Sequence, residues 1–268
     1  MKIDGAAIIV TGSATGVGAA CVKQFAEGGA RVVVNYSRSK KEADETGDIC
    51  RSLGAEVEIV QADVADDAAC RRMVAIAVDR WGRLDALVNN AAMTVKSDPF
   101  DLETLSAEDF QNVFGVNVIG AYQMCRAAVP AMRDSGGGAI VNVSSNVAFT
   151  GGGSSLAYTA SKGALNALTL ALARTCGPDI RVNAVCPGII DTRWMRDTLG
   201  PDAYGATAKR FSDAAPLGRV ATPEDVAGAI VWLVQGADFV TGELLSVDGG
   251  IRLSGGVRKP ATSGGAAS

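Results

Sequence analysis

Seven short apolar runs, nearly continuous in Val, Ile, Leu and Ala, recur along the chain with longer amphipathic stretches between them. They are Ala6-Thr11, Arg31-Asn35, Glu56-Gln61, Ala86-Asn89, Ala139-Ser144, Arg181-Cys186 and Leu244-Val247. A strand with one wet face alternates apolar and polar residues, whereas a strand covered on both faces reads as an unbroken apolar run. The strand–helix alternation therefore predicts an α/β, doubly wound parallel sheet with helices on both sides. Helix starts support it. Thr222-Pro223-Glu224-Asp225 sets a cap, a first-turn proline and acids before an apolar run, and Ser106-Ala107-Glu108-Asp109 offers a second start. A helix from about Leu156 is expected to stop at Gly177-Pro178.

A chain of 268 residues, 48% hydrophobic, can bury a full core. No Pro/Gly/Ser linker divides the strands, so residues 1–253 are expected to form one domain. Composition changes only in 254–268, which is rich in Gly, Ser and Ala, carries Arg258-Lys259-Pro260, and reads as a flexible tail. The net charge of -4, with both signs interspersed, gives no basic footprint for nucleic acid. No apolar run approaches the roughly 20 residues of a membrane helix, and Met1-Lys2-Ile3-Asp4 shows no signal pattern, so a cytoplasmic protein is expected.

Histidine is absent. That rules out a Ser-His-Asp triad, imidazole acid–base catalysis and His-ligated zinc within this chain. The cysteines Cys21, Cys50, Cys70, Cys125, Cys176 and Cys186 are scattered, with no C-x-x-C pair, and read as core residues rather than a disulfide framework or metal site. Proton transfer is left to Tyr, Lys, Asp, Glu or Cys.

Three features carry chemistry. The turn Thr11-Gly12-Ser13-Ala14-Thr15-Gly16-Val17-Gly18 follows the first strand and opens a helix. There, glycines let the backbone approach a pyrophosphate and helix N–H groups face its charge. Tyr158 and Lys162 stand at i and i+4, on one helix face, where an ammonium is expected to lower the phenol pKa from about 10 and make an acid–base catalyst without histidine. Ser144-Ser145 ends the fifth strand, on the side of the sheet where ligands bind. Each alone has an ordinary reading: a tight turn, a helix surface, a loop serine.

Together they resemble the short-chain dehydrogenase/reductase family, from Lys2 to about Leu253. The match runs through Thr11-Gly18, Asp63-Val64, Asn89-Asn90-Ala91, Asn117, Ser145, Tyr158-x-x-x-Lys162, Pro187-Gly188 and Val247-Asp248-Gly249-Gly250. The resemblance, in particular to 3-oxoacyl-carrier-protein reductases, implies a Rossmann-type single domain and hydride exchange between a nicotinamide and a ketone or secondary alcohol. It implies Ser145, 13 positions before Tyr158, as the hydroxyl that polarises the substrate oxygen, in preference to Ser144. Tyr158 is implied as proton donor or acceptor, Lys162 as holder of the nicotinamide ribose, and Asn117 as anchor of a water that relays protons; no metal is expected. Cofactor contacts carried over are Gly12, Ser13, Gly16, Val17 and Gly18 at the phosphates, Asp63 and Val64 at adenine, Asn90 and Ala91 at its ribose, and Ile190 and Thr192 at the carboxamide. One departure is Ala92, where the family usually has Gly.

The family builds a substrate lid in the region of residues 188–216. Here it holds Trp194, Met195, Leu199, Tyr204 and Phe211, with Arg193, Arg196, Lys209 and Arg210 among them. That suits an apolar carbonyl substrate, while the cations offer either a contact to an acidic carrier group or a solvated face. A carbonyl or 3-oxoacyl reductase is the expectation, a sugar or polyol dehydrogenase the alternative, and a non-catalytic dinucleotide-binding regulator the remote one. NADP(H) is expected over NAD(H). After Val34-Asn35-Tyr36, Ser37 and Arg38 can meet a 2′-phosphate and no acid appears before Glu42, although Ala14 and Thr15 stand where NADP-using relatives often carry a base. A homotetramer is implied by the resemblance. Ala164, Leu165, Ala167, Leu168, Leu170, Ala171 and Leu172 make the Tyr158 helix apolar around most of its girth, and the Asn117 helix is expected at the same interface.

Overall fold

The computed structural model describes residues 1–98 and 100–253; the tail expected at 254–268 lies outside the described residues. In chain order the elements are β1 (Ala7–Val10), α1 (Gly16–Glu27), β2 (Arg31–Tyr36), α2 (Lys40–Ser52), β3 (Val57–Gln61), α3 (Asp67–Trp81) and β4 (Ala86–Asn89). There follow α4 (Ala107–Phe114), a π-helical turn (Gly115–Gly120), α5 (Ala121–Asp134), β5 (Gly138–Val143), a short α6 (Val147–Thr150) and α7 (Leu156–Cys176). The chain closes with β6 (Ile180–Pro187), α8 (Arg193–Leu199), α9 (Pro201–Ala214), α10 (Pro223–Gln235) and β7 (Leu244–Val247). All seven expected strands are in place, within a residue or two at each end.

The strands form one sheet in the order β3-β2-β1-β4-β5-β6-β7, every neighbouring pair parallel. The apolar runs are continuous because both faces are covered. Ile8 and Val10 of β1 join the core built with α1, α2 and α10, through residues such as Phe25, Cys50 and Ile230. Ala7 and Ile9 point the other way, into the core shared with α3, α5 and α7, through Met73, Met124 and Cys176. A polar residue at any of these β1 positions would be stranded in one core or the other.

The two expected caps form as full capping boxes: Ser106 with Asp109 ahead of α4, and Thr222 with Asp225 ahead of α10, where Pro223 opens the helix. Helix α7 stops at Gly177 as its sequence requires. Strand order reverses at β1, which lies between β2 and β4, so the loops leaving β1 and β4 diverge there and open a groove. All the sequence motifs singled out above lie at this carboxyl edge of the sheet or on the elements that leave it. Among the described residues no helix is long and apolar enough to cross a membrane.

Candidate active site

The glycine turn is braced from within. Gly12 and Gly16 adopt left-handed backbones, φ 61° and 59°. A Cβ on Gly12 would come within 2.9 Å of the Ala91 Cα, and one on Gly18 within 2.6 Å of both the Asn90 amide nitrogen and the Gly12 carbonyl oxygen. Asn35, at the end of β2, holds the turn: its Oδ1 accepts from Gly12 N–H at 2.9 Å and its carbonyl from Ser13 N–H at 2.8 Å, while its own N–H donates to Ser13 Oγ. Ser13 Oγ donates in turn to the Val10 carbonyl. The Gly12 and Ser13 amides are thus both engaged by Asn35. The first turn of α1 is different. Thr15 gives it no side-chain cap, so the N–H groups of Gly16, Val17 and Gly18 stand at a bare positive helix end. That is a fit for a diphosphate.

Asn90 Nδ2 donates to the carbonyls of Thr11 and Gly12, both at 2.9 Å, and Thr11 Oγ1 accepts from the N–H groups of Asn90 and Ala91. The Asn90-Ala91 segment therefore tethers the end of β4 to the glycine turn. Ala92 sits at the surface, and no non-glycine residue among those described has positive φ, so its extra methyl is accommodated without backbone strain. Asp63 is exposed after β3, but Val64 is buried against Gly120 and in the core with α3 and α5. Ser37 and Arg38 are exposed just past β2. Ile190 bridges to Ala221, and Thr192 caps α8 by accepting from Met195 N–H.

Strand β5 and helix α7 bring the reacting groups together. Ser155 caps α7 by accepting from Tyr158 N–H at 3.1 Å, which fixes Tyr158 in the first turn. Ser145 Oγ accepts from Val147 N–H at 3.3 Å and lies beside the Tyr158 phenol, near enough to favour its ionised form. Ser144, its neighbour, is buried with Oγ donating to the Lys162 carbonyl, a structural use that separates the two serines. Lys162 is 2% exposed, its Nζ donating to the Val143 carbonyl at 2.8 Å and lying 5.5 Å from the centre of the Tyr158 ring. One of its three donors is used there, leaving two for a ligand.

The expectation that Lys162 lowers the Tyr158 pKa is not met in this arrangement. Burial pushes Tyr158 up to about 12, and the nearby Ser145 hydroxyl offsets only part of the rise. Burial also pulls Lys162 down to about 8. Both groups pay for leaving water, and Lys162 is turned toward Val143 rather than the phenol oxygen.

Asn117 stands in the π-helical turn between α4 and α5, a distortion that often marks functional positions. Its Oδ1 accepts from Met93 N–H at 2.8 Å, and its Nδ2 donates to the Met93 carbonyl and to Ser161 Oγ. Ser161 Oγ donates to the Tyr158 carbonyl. The side chain is thus occupied in tying the loop after β4 to α7. Sequence reading missed Asn35, Ser161 and the packing of Trp194, whose ring lies 6.1 Å from that of Tyr158 and is tilted 45° to it. Only Asn35 left a trace: an amide inside an otherwise apolar strand is out of place unless it is bonded there.

Of the lid cations, Arg193 pairs with Glu42, Arg196 with Asp191, and Lys209 with Asp213. A solvated, paired face accounts for those three.

The chain matches the family described as enoyl-(acyl carrier protein) reductase over residues 12–252. It is 41% identical over 245 residues to the "Granaticin polyketide synthase putative ketoacyl reductase 2" of Streptomyces violaceoruber, covering 91% of this chain and 95% of that one. It is 38% identical over 256 residues to the 3alpha-hydroxysteroid dehydrogenase of Mediterraneibacter gnavus, covering 94% and 99%. A solved short-chain dehydrogenase/reductase of Serratia marcescens, a double mutant, superposes with a TM-score of 0.84 at 34% identity, over 94% of this chain and 99% of that one. With the braced glycine turn and the Ser145–Tyr158–Lys162 cluster in place, the chain belongs to the short-chain dehydrogenase/reductase family and is a nicotinamide-dependent oxidoreductase of carbonyl/alcohol pairs.

Proposed function

We propose that this enzyme works as an NADPH-dependent reductase of a bulky, apolar ketone of the oxoacyl kind. The observation that carries the reading is the convergence of Ser145, Lys162 and Trp194 on a neutral Tyr158 phenol, with Lys162 Nζ 5.5 Å and the Trp194 ring 6.1 Å from the tyrosine ring. A neutral phenol is ready to give a proton to a nascent alkoxide, whereas oxidation of an alcohol would first require its ionisation. The dinucleotide, when bound, supplies the hydride. Ser145 orients and polarises the ketone oxygen at the tyrosine hydroxyl. Lys162, with two free donors and a positive charge below about pH 8, holds the ribose and favours negative charge developing beside Tyr158. Asn117 is a positioning residue, fixing Met93 and Ser161 around Tyr158.

Substrate class follows from the mouth of the site. Trp194 walls it beside Tyr158, and three of the four lid cations are already paired, which favours an apolar substrate over one recognised by its acidic group. Similarity to a ketoacyl reductase and a hydroxysteroid dehydrogenase is consistent with extended ketones. For the cofactor, Gly16, Val17 and Gly18 would hold the diphosphate, and Ser37 and Arg38 the 2′-phosphate of NADP(H). Asp63 and Asn90 would flank the adenosine, and Ile190 and Thr192 the carboxamide. The acid nearest the 2′ site in sequence, Glu42, is neutralised by Arg193. A homotetramer in the cytoplasm is part of the same reading. Phe110, Ile119, Tyr122 and Leu170 are exposed on α4, the π turn, α5 and α7, and all six cysteines are buried and unpaired, as a reducing compartment allows.

The test is steady-state kinetics on a panel of oxoacyl thioesters, steroid ketones, sugars and polyols with each cofactor. An apolar ketone with NADPH should give the highest kcat/KM. Arg38→Ala should lower the NADPH value roughly tenfold, the scale of one charge-assisted hydrogen bond, and leave the NADH value in place. A preference for NADH or for polyols would overturn the respective part of the reading.

A further inference from the structure

We infer that the Arg193–Glu42 ion pair is a strap that fastens the lid across the dinucleotide groove and sets how fast the cofactor leaves. The inference rests on the dinucleotide lying at the N-terminus of α1. Thr192, the residue before the lid helix α8, places its methyl 3.6 Å from where a Cβ on Gly16 would stand, so the lid begins directly over the glycine turn. From there Arg193 Nη1 reaches Glu42 Oε1 at 2.8 Å. Glu42 lies in the first turn of α2, just past the β2 end that carries Ser37 and Arg38. The pair therefore joins two walls that belong to different halves of the chain, with the bare end of α1 between them.

The lid is braced so that one tie holds all of it. Asp191 Oδ1 accepts from Arg196 Nη2 at 2.6 Å and from the Tyr204 hydroxyl at 2.8 Å, and the Arg196 guanidinium stacks over the Tyr204 ring. These contacts lock α8 to α9 and to the strand exit. Trp194, the next residue after Arg193, is the one packed beside Tyr158. Releasing Arg193 thus frees the segment that covers both the diphosphate and the phenol. Diffusion of a dinucleotide out of the groove requires that segment to lift, and lifting it breaks the ion pair.

The test is the dissociation rate of NADPH and of NADH, followed by cofactor fluorescence in stopped flow, for the wild type and for Glu42→Gln, Arg193→Met and their combination. A strap predicts that each single variant releases either cofactor about two- to five-fold faster, the range open to a solvent-exposed pair. The double variant should be no faster than either single one, and the exchanged pair Glu42→Arg with Arg193→Glu should return toward the wild-type rate. At about half-molar salt the wild type should approach the single variants. Single variants at the wild-type rate would overturn the strap. So would opposite shifts for NADPH in the two single variants, which would mark independent charges acting on the 2′-phosphate. A wild-type chain that binds neither dinucleotide would instead overturn the groove assignment beneath it.

Discussion

Replacing Lys162 with Met should make the protein more stable and inactive at once. The Lys162 side chain is almost wholly buried, with its ammonium held by one carbonyl and no carboxylate. Its pKa falls from the ordinary 10.5 to about 8 because of burial. At about 1.4 kcal/mol per pH unit, keeping the charged form in this site costs about 3 kcal/mol. Methionine fills similar space without the charge, but leaves the Val143 carbonyl without its donor, a loss of about 1–2 kcal/mol. The net gain at pH 7 is then about 1–2 kcal/mol, or a few degrees in Tm. The pH dependence identifies the cause. Below pH 8 Lys162 is charged in both the native and the unfolded chain, and the cost is present in full. Between about 8 and 10.5 the unfolded chain keeps a proton that the native one has shed, so wild-type stability rises with pH. By pH 9.5 the wild type should have recovered about 2 kcal/mol against Lys162→Met, closing the gap. Urea and thermal melts of both proteins without dinucleotide, at one protein concentration and at pH 7 and 9.5, measure it. A variant less stable than wild type at pH 7, or a gap that ignores pH, would refute the reasoning.

Tyr158→Phe removes only the hydroxyl and should cut turnover by roughly 10²–10⁴-fold while the cofactor Kd, read by fluorescence titration, stays close to wild type. Activity of the wild type should survive chelator, because the proton comes from a side chain. Gly18→Ala would drive a methyl into the Asn90 amide and the Gly12 carbonyl; it should cost about 1–3 kcal/mol in a thermal melt and weaken dinucleotide binding, whereas Ala92→Gly should do neither. Light scattering at micromolar concentration should give the mass of four chains. Substituting Glu for exposed Leu170 on α7 should lower that mass, and an unchanged mass would move the interface elsewhere.

Much of this protein was written in local pattern. Both faces of the sheet are covered, so strands such as Val32-Val33-Val34 had to read as unbroken apolar runs, and their order with the intervening helices left a parallel sheet as the consistent solution. Tyr158 and Lys162 share a helix, so the period of 3.6 residues alone puts them on one side. Ser106 and Thr222 announced their helices because a cap needs only the residues that follow it. The tertiary structure decided whatever depends on distant segments meeting. Ser144 and Ser145 look alike in sequence, and they part only because α7 offers a backbone carbonyl to one and a phenol to the other. Asn35 becomes the brace of the glycine turn once β2 lies beside β1, and Asn117 reaches Ser161 only across a helix packing. The direction of the Tyr158 pKa was not legible from spacing for the same reason. An i, i+4 relation fixes a distance along the helix, but the free energy of a charge is set by how much water the surrounding fold removes.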